Sequence, residues 1–191
     1  MPTRSSPVEP FDLVVFGGTG DLARRKLLPA LYERMRTGDM PESSRIIGAA
    51  RSNLSRKAYQ AMAEEALNQF VDDPDPEVIR RTVKCVDYVR VDGDTGAGFK
   101  DMKQRIDKEP RPIRAVYLAV GPSHFAPIAE KLKEENLLTP DTRLVVEKPL
   151  GHDLESARDL NRRLASVIDE HHIYRIDHYL GKETVQNLMA L

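Results

Sequence analysis

The sequence predicts an α/β fold, a doubly wound parallel sheet with helices on both faces. Three observations lead there. Strand-like and helix-like segments alternate six times along the 191 residues, and such alternation makes the helices crossovers between parallel strands. Phe11–Gly17 is a nearly continuous apolar run, as a strand covered on both faces requires. That run leads straight into the glycine turn Gly17-Gly18-Thr19-Gly20-Asp21-Leu22-Ala23. Together they point to a Rossmann-type domain over residues 11–176.

The elements follow in order. Met1–Pro10 is polar and proline-bearing, without the apolar stretch of a signal peptide, and reads as a disordered leader. Phe11–Gly17 is the first strand. Leu22–Thr37 has apolar residues at Leu27, Leu28, Leu31 and Met35, a helical spacing. Pro29 must kink that helix or open its second half, and Gly38 ends it. Arg45–Ala50 is the second strand, and Lys57–Phe70 a helix with Ser55 placed to cap it. Asp72-Asp73-Pro74-Asp75-Pro76 breaks the chain, with room for a short helix after it. Val83–Val91 alternates loosely as a third strand, and Phe99–Lys108 is a helix beyond a glycine-rich loop. Arg114–Val120, Arg143–Val146 and His172–Ile176 supply strands four to six. Helices Phe125–Leu137 and Leu154–Ile168 lie between them, and Lys182–Leu191 starts a further helix.

Bulk composition narrows the function. Lys and Arg total 29 against 30 Asp and Glu, for a net charge of −1. That balance offers no electrostatic footprint for nucleic acid or a membrane surface. The longest apolar runs fall far short of the ~20 residues of a membrane span. Cys85 is the single cysteine. It rules out an internal disulfide, reads as a buried structural thiol, and fits a reducing cytoplasm. His171-His172 has no metal-ligand spacing, no cysteine cluster is present, and no metal site is expected.

The segment Gly18-x-Gly20-x-x-Ala23 fits the dinucleotide fingerprint in the context it needs, after a strand and at a helix start. Glycine permits the tight turn and close backbone approach, and the helix N-terminus offers N–H groups to a pyrophosphate. The competing reading is a glycine-rich turn without a ligand. An NAD site would carry an acidic residue near the end of the second strand. Here the strand ends Ala49-Ala50-Arg51-Ser52, and Arg51 suits a 2′-phosphate, which favours NADP. Arg51 lies farther downstream than the ~20 residues typical of the fingerprint. It also reads as a solvent-facing arginine. Arg24, Arg25 and Lys26 either add positive potential near the phosphates or form a solvated helical face.

Ligands of such sheets gather outside the carboxyl ends of the strands. The third strand ends at Asp92, and the fourth at Gly121-Pro122 with Phe125 entering the next helix. The fifth ends Glu147-Lys148-Pro149-Leu150-Gly151, where the proline holds Lys148 extended and its ammonium within reach of cofactor and substrate oxygens. The last block is Arg175-Ile176-Asp177-His178-Tyr179-Leu180-Gly181-Lys182-Glu183. His178 and Lys182, four apart, share a helical face and with Tyr179 offer donors to a phosphate monoester. Asp177 is suited to orient an imidazole from elsewhere. The alternatives are a surface lysine at 148 and a capped helix start carrying a chance charge cluster.

These blocks, with Tyr117-Leu118-Ala119, resemble glucose-6-phosphate dehydrogenases from Phe11 to Leu191, most specifically through Arg175 to Glu183. The resemblance implies a Rossmann-type coenzyme domain in which Gly17 to Arg24 hold the NADP pyrophosphate and Arg51 the 2′-phosphate. It puts Asp92 at the adenosine end and Phe125 near the nicotinamide half. Lys148 would touch cofactor and sugar; His178, Tyr179 and Lys182 would bind glucose 6-phosphate. Asp177 would pair with a catalytic histidine that none of His124, His152, His171, His172 and His178 matches. Gly121 stands where the family often has proline, and Leu150 where phenylalanine is common. Family members are much longer, so residues 177–191 are expected to begin a truncated substrate domain. Thr184–Leu191 accordingly reads as an amphipathic helix cut short.

The implied function is NADP-dependent oxidation of glucose 6-phosphate in a cytoplasmic enzyme, homo-oligomeric when full length, with this chain alone inactive. The alternatives are a short non-catalytic NADP-binding or interaction module and a related sugar-phosphate oxidoreductase.

Overall fold

Apolar β-branched and aromatic runs pair side by side in the computed structural model, which describes residues 8–151 and 153–176. The strands β1 (Phe11–Phe16), β2 (Arg45–Ala50), β3 (Val86–Arg90), β4 (Ile113–Leu118), β5 (Arg143–Glu147) and β6 (Ile173–Ile176) form one sheet. Their order is β3-β2-β1-β4-β5-β6, and every pairing is parallel. The order reverses between β1 and β4, and the crevice above that switch point is where such sheets take ligands.

Pleating divides each strand between two cores. Leu13 and Val15 face α1 (Leu28–Thr37), α2 (Arg56–Phe70) and α3 (Pro76–Lys84). Val14 and Phe16 face α4 (Phe99–Lys108), α5 (Phe125–Glu134) and α6 (Leu154–Val167). Both faces of β1 are therefore apolar, which is why its sequence does not alternate. The polar exception is Asp12, wholly buried at the amino edge. Its carboxylate accepts from Nε and Nη2 of Arg45 on β2 at 2.9 and 3.1 Å.

Local signals set the helix ends. The Ser55 hydroxyl accepts from the Ala58 N–H and caps α2 as expected. Asp75 caps α3, and Asp153 with Ser156 forms a capping box on α6. Gly38, at φ 80°, ends α1 by donating to the Arg34 and Met35 carbonyls. Pro29 does not break the first helix: Ala23–Leu27 forms a π-helical turn that runs without interruption into α1 at Leu28.

Two expectations are corrected. The third strand does not begin at Val83. Val78, Ile79 and Thr82 bury one face of α3, so the helix runs through Lys84 and β3 starts at Val86. The Met1–Pro10 leader is not all unpacked, because Val8 rests against the first core; residues 1–7 lie outside the described part. Cys85 is a buried thiol, as expected. Its Sγ contacts the Glu42 and Arg81 carbonyls, and burial pushes its pKa up.

Candidate functional site

The glycine turn is pressed into the sheet. The N–H groups of Gly17 and Gly18 both donate to the Ala49 carbonyl of β2, at 2.9 and 3.3 Å. Gly17 has φ 80°, and a side chain there would run into the Ala119 carbonyl group beyond β4. A methyl at Gly18 would lie 2.7 Å from the Gly48 Cα and 2.9 Å from the Tyr59 hydroxyl. Gly20 closes the turn by donating to the Gly17 carbonyl at 2.8 Å. The helix then starts at Asp21, and its first N–H groups lack intrahelical acceptors by geometry. Bare backbone, a positive helix end and a turn packed too tightly for side chains at Gly17 and Gly18 suit a pyrophosphate. Ala23 is buried against the first core and Leu22 packs beside it; Thr19, Gly20 and Asp21 face outward.

From this turn a groove of about 280 Å³ runs over the ends of β1, β2 and β3. Gly17, Thr19, Gly20, Arg51, Ser52 and Asp94 are among the residues lining it. The glycine turn and Arg51 therefore share one cavity. Asp92 sits at its rim with its carboxylate turned onto its own loop, accepting from the Asp94 and Thr95 N–H groups at 2.9 and 3.3 Å. Those bonds hold its pKa below the ordinary carboxylate value, with Arg51 a lesser contributor. The loop instead presents Gly93 and Asp94 to the groove, and Asp94 Oδ1 lies 3.0 Å from His124 Nδ1, also a groove residue.

The other expected cations divide. Arg24 leans toward Glu65 of α2 at 3.9 Å, while its buried Nε has no hydrogen-bond partner among the described residues. Arg25 lies over the Phe70 ring, 5.2 Å from its centroid, which accounts for it structurally.

Phe125, expected near the nicotinamide half, stands at the start of α5 beyond β4. It is 1% exposed, enclosed in the second core with Ile128, Ala129 and Leu132. Those residues share one helical face of α5, which packs into that core. Lys148 is exposed at the carboxyl edge, where the Lys148–Pro149 peptide is cis and the Lys148 N–H donates to the Ile176 carbonyl at 3.0 Å. Beside it, Glu147 accepts a hydrogen bond from Tyr117. Asp177, His178, Tyr179 and Lys182 lie outside the described residues; β6 ends at Ile176 on the same carboxyl edge as the glycine turn.

Sequence reasoning missed the support behind the turn. Tyr59 of α2 donates to the Gly18 carbonyl at 2.8 Å. Its ring covers Gly48, whose lack of a side chain admits it. Burial, then Tyr88, pushes the Tyr59 pKa far up, so it stays a neutral donor. The isolated Gly48 inside a strand was the available signal. Among the described residues, no helix is long and apolar enough to cross a membrane.

Comparison with known proteins agrees with this geometry. A family model described as "Glucose-6-phosphate dehydrogenase, NAD binding domain" matches residues 14–187. A glucose-6-phosphate 1-dehydrogenase of Rhizobium meliloti is 50% identical over 194 residues, covering 100% of this chain. A solved glucose-6-phosphate dehydrogenase in complex with its substrate glucose 6-phosphate superposes with a TM-score of 0.81 at 36% identity. It covers 97% of this chain and 40% of that one. The Mycobacterium avium glucose-6-phosphate 1-dehydrogenase structure gives 0.79 at 40% identity, covering 94% of this chain and 39% of that one. The chain spans 39% of the length of the Rhizobium relative. With this sheet, this glycine turn and a match over nearly its whole length, the chain belongs to the glucose-6-phosphate dehydrogenase family and carries its dinucleotide-binding domain.

Proposed function

We propose that this chain is the coenzyme-binding part of an NADP-dependent enzyme that, when complete, oxidises D-glucose 6-phosphate to 6-phosphoglucono-1,5-lactone. The observation that carries the reading is the single groove joining the glycine turn to Arg51. Bound NADP would supply a nicotinamide that accepts hydride from the sugar C1. The chain's own residues bind and orient. The loop from Gly17 to Arg24 holds the pyrophosphate, and Arg51 holds the 2′-phosphate. Lys148 at the strand tip serves cofactor and sugar. His178, Tyr179 and Lys182 bind glucose 6-phosphate, and fixing its remote phosphate orients C1 for transfer. Asp177 orients a histidine base contributed from outside these residues. The 191-residue chain alone binds cofactor without turnover, supported by its covering 39% of a relative's length. The complete protein is a cytoplasmic homo-oligomer.

Titration calorimetry on wild type and Arg51→Ala tests the cofactor reading. Wild type is expected to bind NADP more tightly than NAD. Arg51→Ala is expected to lose about tenfold for NADP, or ~1.4 kcal/mol, and little for NAD. Equal NADP affinity in both proteins removes Arg51 from the site, and no binding of either nucleotide overturns the reading. Steady NADPH production by the isolated chain with glucose 6-phosphate would overturn the absence of turnover.

A further inference from the structure

A second arginine stands beside the exit of β2, next to the groove residue Val91. Arg90 is the last residue of β3 and pairs in register with Ala50, the residue before Arg51. Its side chain is exposed, and its Nε donates to the Arg51 carbonyl at 3.1 Å. That bond anchors Arg90 beside the β2 exit through one nitrogen. Its two Nη groups have no hydrogen bond or ion pair among the described residues. The Arg51 guanidinium, also exposed, has no carboxylate within ion-pair distance among them either.

The opposite edge of the same strands is different. There Arg45 pairs with Asp12, and Arg56 and Arg105 both approach Asp87. At the carboxyl edge neither guanidinium has a carboxylate within ion-pair distance among the described residues, and like charges on neighbouring strand ends repel unless an anion joins them. Asp92 of the adjoining loop acts on Arg51 only from beyond ion-pair distance, its carboxylate accepting from the Asp94 and Thr95 N–H groups. The exit loop itself is fixed: the Tyr88 hydroxyl reaches the Ala50 and Ser52 carbonyls at 3.0 and 2.6 Å. Neighbouring strand ends thus carry two guanidinium groups beside one exit, neither ion-paired among the described residues.

We propose that Arg90 is the second cation of the 2′-phosphate site and, with Arg51, sets the preference for NADP over NAD. This rests on the dinucleotide reading above. A phosphate monoester carries a charge of about −1.5 to −2 and three acceptor oxygens. One guanidinium engages two oxygens in a fork, and a second takes the third and balances the remaining charge.

The test compares wild type, Arg90→Gln and Arg90→Lys by calorimetry with NADP, NAD, 2′,5′-ADP and 5′-AMP. Arg90→Gln is expected to weaken NADP and 2′,5′-ADP about tenfold while leaving NAD and 5′-AMP unchanged. Arg90→Lys is expected to fall between. Two outcomes overturn the proposal: unchanged NADP affinity in Arg90→Gln, or equal losses for all four nucleotides, which would make Arg90 a brace for the Arg51 backbone. Wild type binding no nucleotide would overturn the dinucleotide reading and this one with it. An unchanged melting transition identifies each variant as folded.

Discussion

The Tyr59 hydroxyl donates to the Gly18 carbonyl at 2.8 Å and so ties α2 to the glycine turn from behind. Gly18 is buried, and this bond holds its carbonyl from behind while Gly17, Thr19 and Gly20 line the groove. Tyr59→Phe keeps the ring and removes only the donor. It should destabilise the chain by about 1–3 kcal/mol, the cost of leaving a buried acceptor unmet, and weaken NADP modestly as the turn loosens. Urea unfolding checks this; an unchanged midpoint would mean that the tether contributes nothing.

Gly48→Ala attacks the same junction from the strand. A methyl at Gly48 overlaps the Tyr59 ring and hydroxyl, closer than the 2.7 Å approach at Gly18. Overpacking of this kind costs about 1–3 kcal/mol or more, and here it also displaces the turn, so NADP binding should fall with stability. Gly38→Ala is the contrast. Nothing lies within 4 Å of a methyl there, but φ is 80°. It should cost about 1 kcal/mol of backbone strain and leave nucleotide affinity intact. Equal NADP losses in both variants would show that stability alone, and not the turn, governs binding.

The sheet and the turn were legible because both are local. A strand buried on two faces must be apolar throughout, and a turn that admits no side chain must be glycine. What escaped was non-local or resembled something else. Tyr59 meets Gly18 across 41 residues of chain, and helical periodicity in α2 marks the face but not the partner. Val83 joins the alternation of the following strand, yet Val78, Ile79 and Thr82 draw it into α3. Phe125 drew notice as an aromatic at a strand exit, although its spacing with Ile128, Ala129 and Leu132 already marked a core position. Arg90 is unremarkable in sequence, and only the parallel register with Ala50 brings it to Arg51.

The Asp12–Arg45 pair predicts asymmetric mutational costs. Asp12 is wholly buried, and Arg45 also donates to the Arg105 carbonyl of α4 at 3.0 Å. Asp12→Ala strands a guanidinium in the interior and should cost about 3–5 kcal/mol. The Asp12→Ala, Arg45→Met double variant should recover part of that loss, because Arg45 leaves with its partner while the buried Arg114, which Asp12 also favours, keeps its charge. Thermal unfolding of the two variants decides it; a double variant less stable than the single would show that the carbonyl contacts of Arg45 matter more than its charge.

Alkaline pH should unfold the chain through groups buried in their neutral form. Burial raises the pKa of Cys85 from 9.0 and those of Tyr59, Tyr88 and Tyr117 from 10.0, with Glu147 adding to the rise at Tyr117. The sign follows from proton counting. Above pH 9.0 to 10.0 the unfolded chain releases these protons while the folded chain keeps them. The unfolded state then binds fewer protons, and stability falls as pH rises. Their contribution is fully present below the unfolded values and is lost as pH climbs toward the folded ones. Urea midpoints should hold steady from these groups up to about pH 9 and then decline. Phenolate absorbance should lag the ordinary tyrosine titration until unfolding releases it abruptly. Tyr59→Phe should flatten the decline despite its lower starting stability, since one ionisable group leaves the balance. If the slope of stability against pH is unchanged in that variant, the Tyr59 proton is not among those retained by the fold.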